Sequence, residues 1–144
     1  MEWTNLYLQT EYSILSSAIP VSKAVARAKM MGMKALGIAD NSMHGVIKFY
    51  KACLQQNIKP IIGLQIELDS LNEQKSILLL YAKTNIGYQN LMAISTYKAV
   101  NDGISLDELA KYSKDIIAII ASDEHSIVRS YKDRMENIAT ELLL

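Results

Sequence analysis

The stretch Gly32-Met-Lys-Ala-Leu-Gly-Ile-Ala-Asp40-Asn-Ser-Met-His-Gly45-Val-Ile-Lys-Phe-Tyr50-Lys-Ala-Cys53-Leu-Gln-Gln-Asn-Ile58-Lys-Pro60-Ile-Ile-Gly63 decides how this chain is read. It runs helix end, strand, polar loop, amphipathic helix, turn, strand. Lys34 to Ala39 is short, apolar and bounded by polar residues, as a buried strand is. Val46, Phe49, Tyr50, Cys53 and Leu54 fall at i, i+3, i+4, i+7 and i+8, which predicts one buried helical face. Lys59-Pro60 restarts the chain, and Ile61 to Leu68 reads as a second strand. In such a unit the polar loop after the first strand is where a site is built. That loop offers one carboxylate, Asp40, where metal chemistry needs several ligands.

The same alternation continues on both sides. Asn5 to Gln9 alternates weakly and is expected as a first strand, followed by a polar loop from Thr10 to Ile19. Pro20 suits the first turn of a helix, because its missing N–H costs nothing there. Val21, Ala24, Val25, Ala28 and Met31 then keep helical spacing, with Gly32 as the stop. Downstream, Leu71 to Lys75 reads as a turn and Ser76 to Ala82 as a buried strand. Ile86 to Tyr97 reads as a helix with Leu91, Met92, Ile94 and Ser95 on one face. Asn101-Asp-Gly103 signals a turn. Ser105 with Glu108 makes a capping box that opens a short helix to about Tyr112. Asp115 to Ala121 is a strand, and Ile127, Tyr131, Met135, Ile138 and Leu142 mark a last helix. The expected class is α/β, with mostly parallel strands joined by right-handed crossovers.

Composition narrows the partners. Lys+Arg and Asp+Glu number 15 each among 144 residues, so no basic surplus exists to neutralise phosphates, and strong direct nucleic-acid binding is not expected. The single cysteine, Cys53, excludes an internal disulfide and favours a reducing, cytoplasmic setting. The N-terminus lacks a signal peptide pattern, and no apolar run has the length of a membrane span. The chain stops at Leu142-Leu-Leu144, which reads as a piece of a longer protein.

The candidate chemistry is sparse. Asp40 reads first as a helix N-cap or turn carboxylate, with metal binding or orientation of another group as the alternative. Asn41 and Ser42 fit the same capping role, and His44 reads as a solvent-facing loop residue. His125 reads as part of a polar entry loop, and Cys53 as core. Tyr7 and Gln9 alternate on the first strand and point to one side. A phenol of pKa about 10 and a neutral amide are poor ligands for zinc or manganese. No glycine pattern matches a phosphate-cradling loop, and no serine sits in a nucleophile elbow.

Several ordered blocks carry a resemblance. Leu6-Tyr-Leu-Gln-Thr-Glu-Tyr-Ser-Ile-Leu15 resembles the opening motif, roughly L-H-x-H-S-x-Y-S-x-L-D-G, of the PHP (polymerase and histidinol phosphatase) domain in bacterial DNA polymerase III α subunits of the DnaE type. Ile38-Ala-Asp40 with Met43, Gly45 and Phe49-Tyr-Lys-Ala-Cys53 is similar to the T-D-H…M-x-G…F-Y-K-A block. Ile58-Lys-Pro-Ile-Ile-Gly63 matches I-K-P-I-I-G. Lys83 with Gly87-Tyr-Gln-Asn-Leu-Met92 resembles A-K-x-x-x-G-Y-x-N-L-M. Leu109 to Ser113 and Ile116 to Ala118 resemble L-x-x-Y-S…L-I-A-L. The likeness is strongest over residues 5–121.

The resemblance implies that residues 1–144 are the N-terminal portion of a distorted (βα)7 barrel within a much longer chain. It also implies that four metal ligands are replaced. Tyr7 and Gln9 stand where two histidines bind metal, Asn41 where a third follows the aspartate, and Gln65 where a glutamate follows the I-I-G strand. Asp40 alone keeps its family identity. Losing one ligand or its support typically costs a site about 10–100-fold in affinity, so four changes leave no credible centre. No catalytic, cofactor-binding or metal residue is therefore expected; Tyr7, Gln9, Asp40, Asn41 and Gln65 are vestigial ligand positions. Asn41 and Gln65 are expected to bond one another or Asp40. The parent chain would be a DNA-directed DNA polymerase using magnesium, and this portion a structural module without a cofactor. Its partners would be the rest of the α chain and a proofreading exonuclease or other replisome subunit. The alternatives are a stand-alone metal-dependent phosphoesterase with a rearranged site and a small interaction protein.

Overall fold

Two helix-to-strand junctions of one design organise the first half of the chain. In the computed structural model, which describes residues 3–68, 76–101 and 103–121, α1 (Val21–Met30) leads into β1 (Ala35–Asp40). The Ala28 carbonyl accepts the Met33 N–H and the Lys29 carbonyl accepts the Gly32 N–H, both at 3.0 Å. Gly32 sits at φ +73°, the left-handed conformation this motif requires. Helix α2 (Val46–Gln55) leads into β2 (Lys59–Leu68) in the same way. There the Cys53 carbonyl accepts from Ile58 at 2.9 Å and Leu54 accepts from Asn57 at 3.1 Å. Asn57 takes the left-handed position with φ 53°. Met33 and Ile58, the residues following each turn, are buried, so each junction seals its helix end with an apolar contact.

The second half comprises β3 (Ser76–Ala82), α3 (Asn85–Asn101), α4 (Leu106–Ala110) and β4 (Ile116–Ile120). The strands form one sheet in the order β1-β2-β3-β4. The expected α/β class is observed, but the pairing is more mixed than a mostly parallel sheet. β1 and β2 are parallel, from Ala35 opposite Lys59 to Asp40 opposite Leu64, whereas β2–β3 and β3–β4 are antiparallel. The reasons are local. Residues 69–75 are too few for a crossover, which needs roughly a dozen. The excursion through α3 and α4 brings the chain back to the end of β3 that it left, with Ile116 opposite Ala82 and Lys83 N–H on the Asp115 carbonyl at 2.9 Å.

The expected first strand is an extended segment without a regular ladder. Asn5 and Leu8 carbonyls accept from Gly37 and Ala39, each at 2.8 Å. Three steps along the segment therefore face two along β1, which breaks the pairing register. Gly37 permits this approach, since a Cβ there would lie 2.5 Å from the Leu6 carbonyl oxygen.

The helices pack on the sheet in two clusters. Val21, Val25, Ala28, Ile38, Phe49, Cys53 and Ile58 join α1 and α2 to β1. Leu64, Ile66, Leu80, Leu91, Ile94, Ile104 and Leu109 join α3 and α4 to β2 and β3. On α2 the buried stripe is Val46, Phe49 and Cys53. Tyr50 and Leu54, expected on that face, are 46% and 51% exposed, because each lies one residue, about 100°, beyond the stripe. Met92 on α3 is likewise exposed. The Ser105 hydroxyl caps α4 by accepting from Glu108 N–H at 3.3 Å, as the sequence predicts. Thr84, which the sequence reading missed, caps α3 by accepting from Ile86 at 3.2 Å and Gly87 at 3.4 Å. Among the described residues no helix is long and apolar enough to cross a membrane. The turn at 71–75, His125 and the helix expected over Ile127 to Leu142 lie outside the described residues.

Candidate functional site

The carboxyl ends of β1 and β2 hold two separate polar nodes. The first is Asp40, 1% exposed and among the few buried polar residues described. Its Oδ1 accepts from Thr10 N–H at 2.6 Å and from the Ser13 hydroxyl at 2.7 Å. Its Oδ2 accepts from the Thr10 hydroxyl at 2.6 Å. Thr10 and Ser13 are themselves fully buried. Ser13 Oγ also accepts from Asn41 N–H at 3.2 Å, which ties the loop to the strand end. Asp40 is thus the anchor of the 10–17 loop and not a helix cap: the N-cap position of α2 is Gly45, which makes no side-chain bond. A carboxylate taken out of water needs such donors, and here both of its oxygens are engaged by the protein itself.

The second node is Gln65. Its Oε1 accepts from the Tyr7 hydroxyl at 2.6 Å and from Gln9 Nε2 at 2.9 Å. Tyr7 and Gln9 do converge from the same segment, as their alternation predicts. The expected link from Gln65 to Asn41 or Asp40 is not among the bonds formed. Gln65 Oε1 is occupied by Tyr7 and Gln9, while Asn41 engages through its backbone, its carbonyl accepting from Lys98 Nζ at 3.2 Å. His44 is exposed on the loop, with Nδ1 3.2 Å from the Ser42 hydroxyl. Cys53 is fully buried in the core, and burial pushes its thiol up to about 11, away from nucleophilic chemistry.

Tyr81 on β3 was not singled out by sequence reasoning. Its ring crosses Gly63, where a Cβ would lie 2.5 Å from it, and its hydroxyl donates to the Leu6 carbonyl at 2.8 Å. It therefore bolts the N-terminal segment to the far side of β2. The signal was available as a glycine inside a strand, which marks close approach. Burial, and secondarily the neighbouring Tyr7, push the Tyr81 phenol up to about 12. The folded state therefore resists ionising a group that the unfolded chain releases near pH 10, so stability is lost as pH rises from about 10 to 12. Tyr81→Phe is expected to cost about 1 kcal/mol at neutral pH and to flatten the alkaline decline, both read from urea midpoints. An unchanged alkaline slope would refute this assignment.

As metal ligands these residues do not fit. Among the described residues no three His, Cys, Asp or Glu side chains gather into a group. Tyr7, Gln9 and Gln65 are neutral and bonded to one another, and Asp40 faces Thr10 and Ser13.

The PHP domain family matches residues 5–143. A DNA polymerase III subunit alpha of Bacillus subtilis is 36% identical over 129 residues, covering 86% of this chain and 12% of that protein. The corresponding subunit of Halalkalibacterium halodurans is 34% identical over 125 residues, covering 83% and 11%. That of Helicobacter pylori is 37% identical over 130 residues, covering 81% and 11%. The chain thus spans only 11–12% of the length of these relatives. Among solved structures, a Bifidobacterium adolescentis protein named for metal-dependent phosphoesterase activity aligns with TM-score 0.54 at 12% identity. It covers 78% of this chain and 44% of its own. An amidohydrolase from Chromobacterium violaceum aligns with TM-score 0.51 at 12% identity, covering 77% and 44%. These two likenesses show the fold alone.

Proposed function

We propose that this chain, which belongs to the PHP domain family and is similar to that domain of DNA polymerase III α subunits, is a non-catalytic scaffold within a replicative polymerase. The observation that carries the reading is the fate of Asp40. The one retained ligand-type residue spends both oxygens on Thr10 and Ser13, while Tyr7, Gln9 and Gln65 satisfy each other. Together with Asn41 these are vestigial ligand positions, in a module kept for its shape. Polymerisation with magnesium would belong to the remainder of the α chain, in the cytoplasm. Docking would involve that remainder and a proofreading exonuclease or other replisome subunit.

The exposed apolar surface supports a docking role. Ile14 is 76% exposed beside a fully exposed Leu15, whose backbone is left-handed at φ 67°. That conformation costs a leucine roughly 1–2 kcal/mol. At the far edge of the sheet, Ile117 and Ile120 of β4 are 49% and 38% exposed, on opposite faces of the strand. The second reading is a stand-alone metal-dependent phosphoesterase with a rearranged site. Metal analysis after dialysis against manganese or zinc, with a p-nitrophenyl phosphodiester assay, separates the two. The scaffold reading expects substoichiometric metal and hydrolysis unchanged by Gln65→Ala. Stoichiometric metal, or metal-dependent hydrolysis lost in that variant, would overturn it.

A further inference from the structure

We propose that the cavity at the amino end of β2 binds a small organic anion, its acidic head held by Lys59 and Lys83 and its apolar body lying against α2. The cavity begins where two strands part. β2 starts at Lys59, yet its ladder with β3 reaches back only to Gly63, opposite Tyr81. Residues 59–62 therefore pair with β1 on one side and have no β3 partner on the other. About 730 Å³ opens beside them, bounded by Ile47 and Tyr50 of α2, by residues 82–85 and by Tyr88 of α3. None of Tyr7, Gln9, Asp40, Asn41 and Gln65 lines it, so the site is separate from the vestigial ligand positions and does not depend on their role.

The lining sorts into an apolar wall and a positive rim. Ile47, Tyr50, Pro60 and Ile62 present hydrocarbon and a phenol ring, the largely apolar surface that small-molecule sites have. Some of the polar groups are already spent. The Tyr81 hydroxyl donates to the Leu6 carbonyl. The Thr84 hydroxyl donates to the Asp115 carboxylate and accepts from the start of α3. Lys59 and Lys83 are not spent. Both line the cavity and no Asp or Glu does, and neither ammonium has an ion-pair or hydrogen-bond partner among the described residues. Asp115, whose carbonyl accepts the Lys83 N–H, has its carboxylate engaged by Thr84. Two uncompensated cations beside apolar surface favour an anion over a neutral guest, because a pair partly shielded from water is screened less. A lysine ammonium is a compact charge with three donors, suited to a carboxylate or a phosphate. The chemistry common to both is an acidic head on an apolar body.

The test titrates the full chain, isotopically labelled and followed by NMR, with three probes that share one ring system: naphthoate, naphthyl phosphate and the uncharged naphthalenemethanol. The better of the two anions should saturate one site and shift the amides of Tyr50, Ile62 and Lys83. It should bind at least about tenfold tighter than the alcohol, the worth of one charge-assisted hydrogen bond. Preference for naphthoate identifies a carboxylate head, and preference for the phosphate ester a phosphoryl head. Lys59→Gln combined with Lys83→Gln should remove the advantage of the anion and leave the alcohol's affinity as it was. The melting temperature should not change, because both lysines are exposed. Tyr50→Ala should weaken all three probes. Equal affinity for anion and alcohol, an anion preference that survives loss of both lysines, or unchanged affinity in Tyr50→Ala would each overturn the proposal. So would shifts centred elsewhere, or no saturation by either anion at millimolar concentration.

Discussion

Asp40→Ala is expected to lower unfolding stability by about 3–5 kcal/mol, the cost of breaking a buried hydrogen-bond network and leaving its donors unsatisfied. The substitution deletes three short hydrogen bonds and leaves Thr10 N–H and the Thr10 and Ser13 hydroxyls without their acceptor in a buried site. Hydrogen bonds to a charged group contribute roughly 1.5–3 kcal/mol each, and they are not additive here because the three share one carboxylate. Ser13→Ala should cost about 1–2 kcal/mol, since it removes a single donor. Asp40→Asn should fall between the two, because an amide keeps one acceptor oxygen and points an NH2 group at a donor. Urea denaturation of the four proteins gives the comparison directly. A loss below about 1 kcal/mol for Asp40→Ala would mean that the carboxylate is not the anchor of the loop. Under the scaffold reading this network also explains why an aspartate persists where its companion ligands have gone.

Gly87→Ala is expected to destabilise by about 2–3 kcal/mol through overpacking, against what helix propensity alone predicts. Gly87 lies in α3, where alanine would ordinarily gain about 0.5–1 kcal/mol over glycine. The added Cβ would instead sit 2.1 Å from the Asp115 carbonyl oxygen. That oxygen cannot swing aside, since it accepts from Lys83 N–H, and the Asp115 carboxylate accepts from the Thr84 hydroxyl at 2.8 Å. Asn90, one turn on, donates to the Lys114 carbonyl at 2.9 Å. The Gly-Tyr-x-Asn pattern is therefore the contact between the start of α3 and the entry to β4. Chemical denaturation decides between the two signs, and a stabilised variant would show that this turn yields without cost.

The elements of the first half were legible because each is written in local terms. Pro20, Gly32 and the stripe Val46, Phe49, Cys53 need no distant partner to be interpreted. Strand pairing was less legible, since direction depends on where a connection returns, and the α3–α4 excursion returns to its starting end. Tyr50 and Leu54 were misplaced because an apolar residue at the margin of a helical stripe is buried only if a neighbour covers it, and among the described residues both stay exposed. At the site, the shared side of Tyr7 and Gln9 followed from alternation, but the partner expected for Gln65 was Asn41 or Asp40, and it bonds Tyr7 and Gln9 instead. The partners of Asp40 did not: Thr10 and Ser13 lie in a stretch whose polarity marks a loop, and nothing local says that the loop folds back on a carboxylate 27–30 residues away.

The bolt formed by Tyr81 carries a consequence for the order of events during synthesis. Residues 3–19 leave the ribosome before any of their fastenings, which come later in the chain. Gly37 and Asp40 offer the first holds, Gln65 the next, and the Tyr81 hydroxyl the last, 75 residues after Leu6. The two helix-to-strand units can form from short-range contacts while the leading segment waits, because long closures are slow to be repaid. Trp3, Leu6 and Tyr7 are thus held in an unfinished state until β3 has been made. The segment is made well before the contacts that secure it.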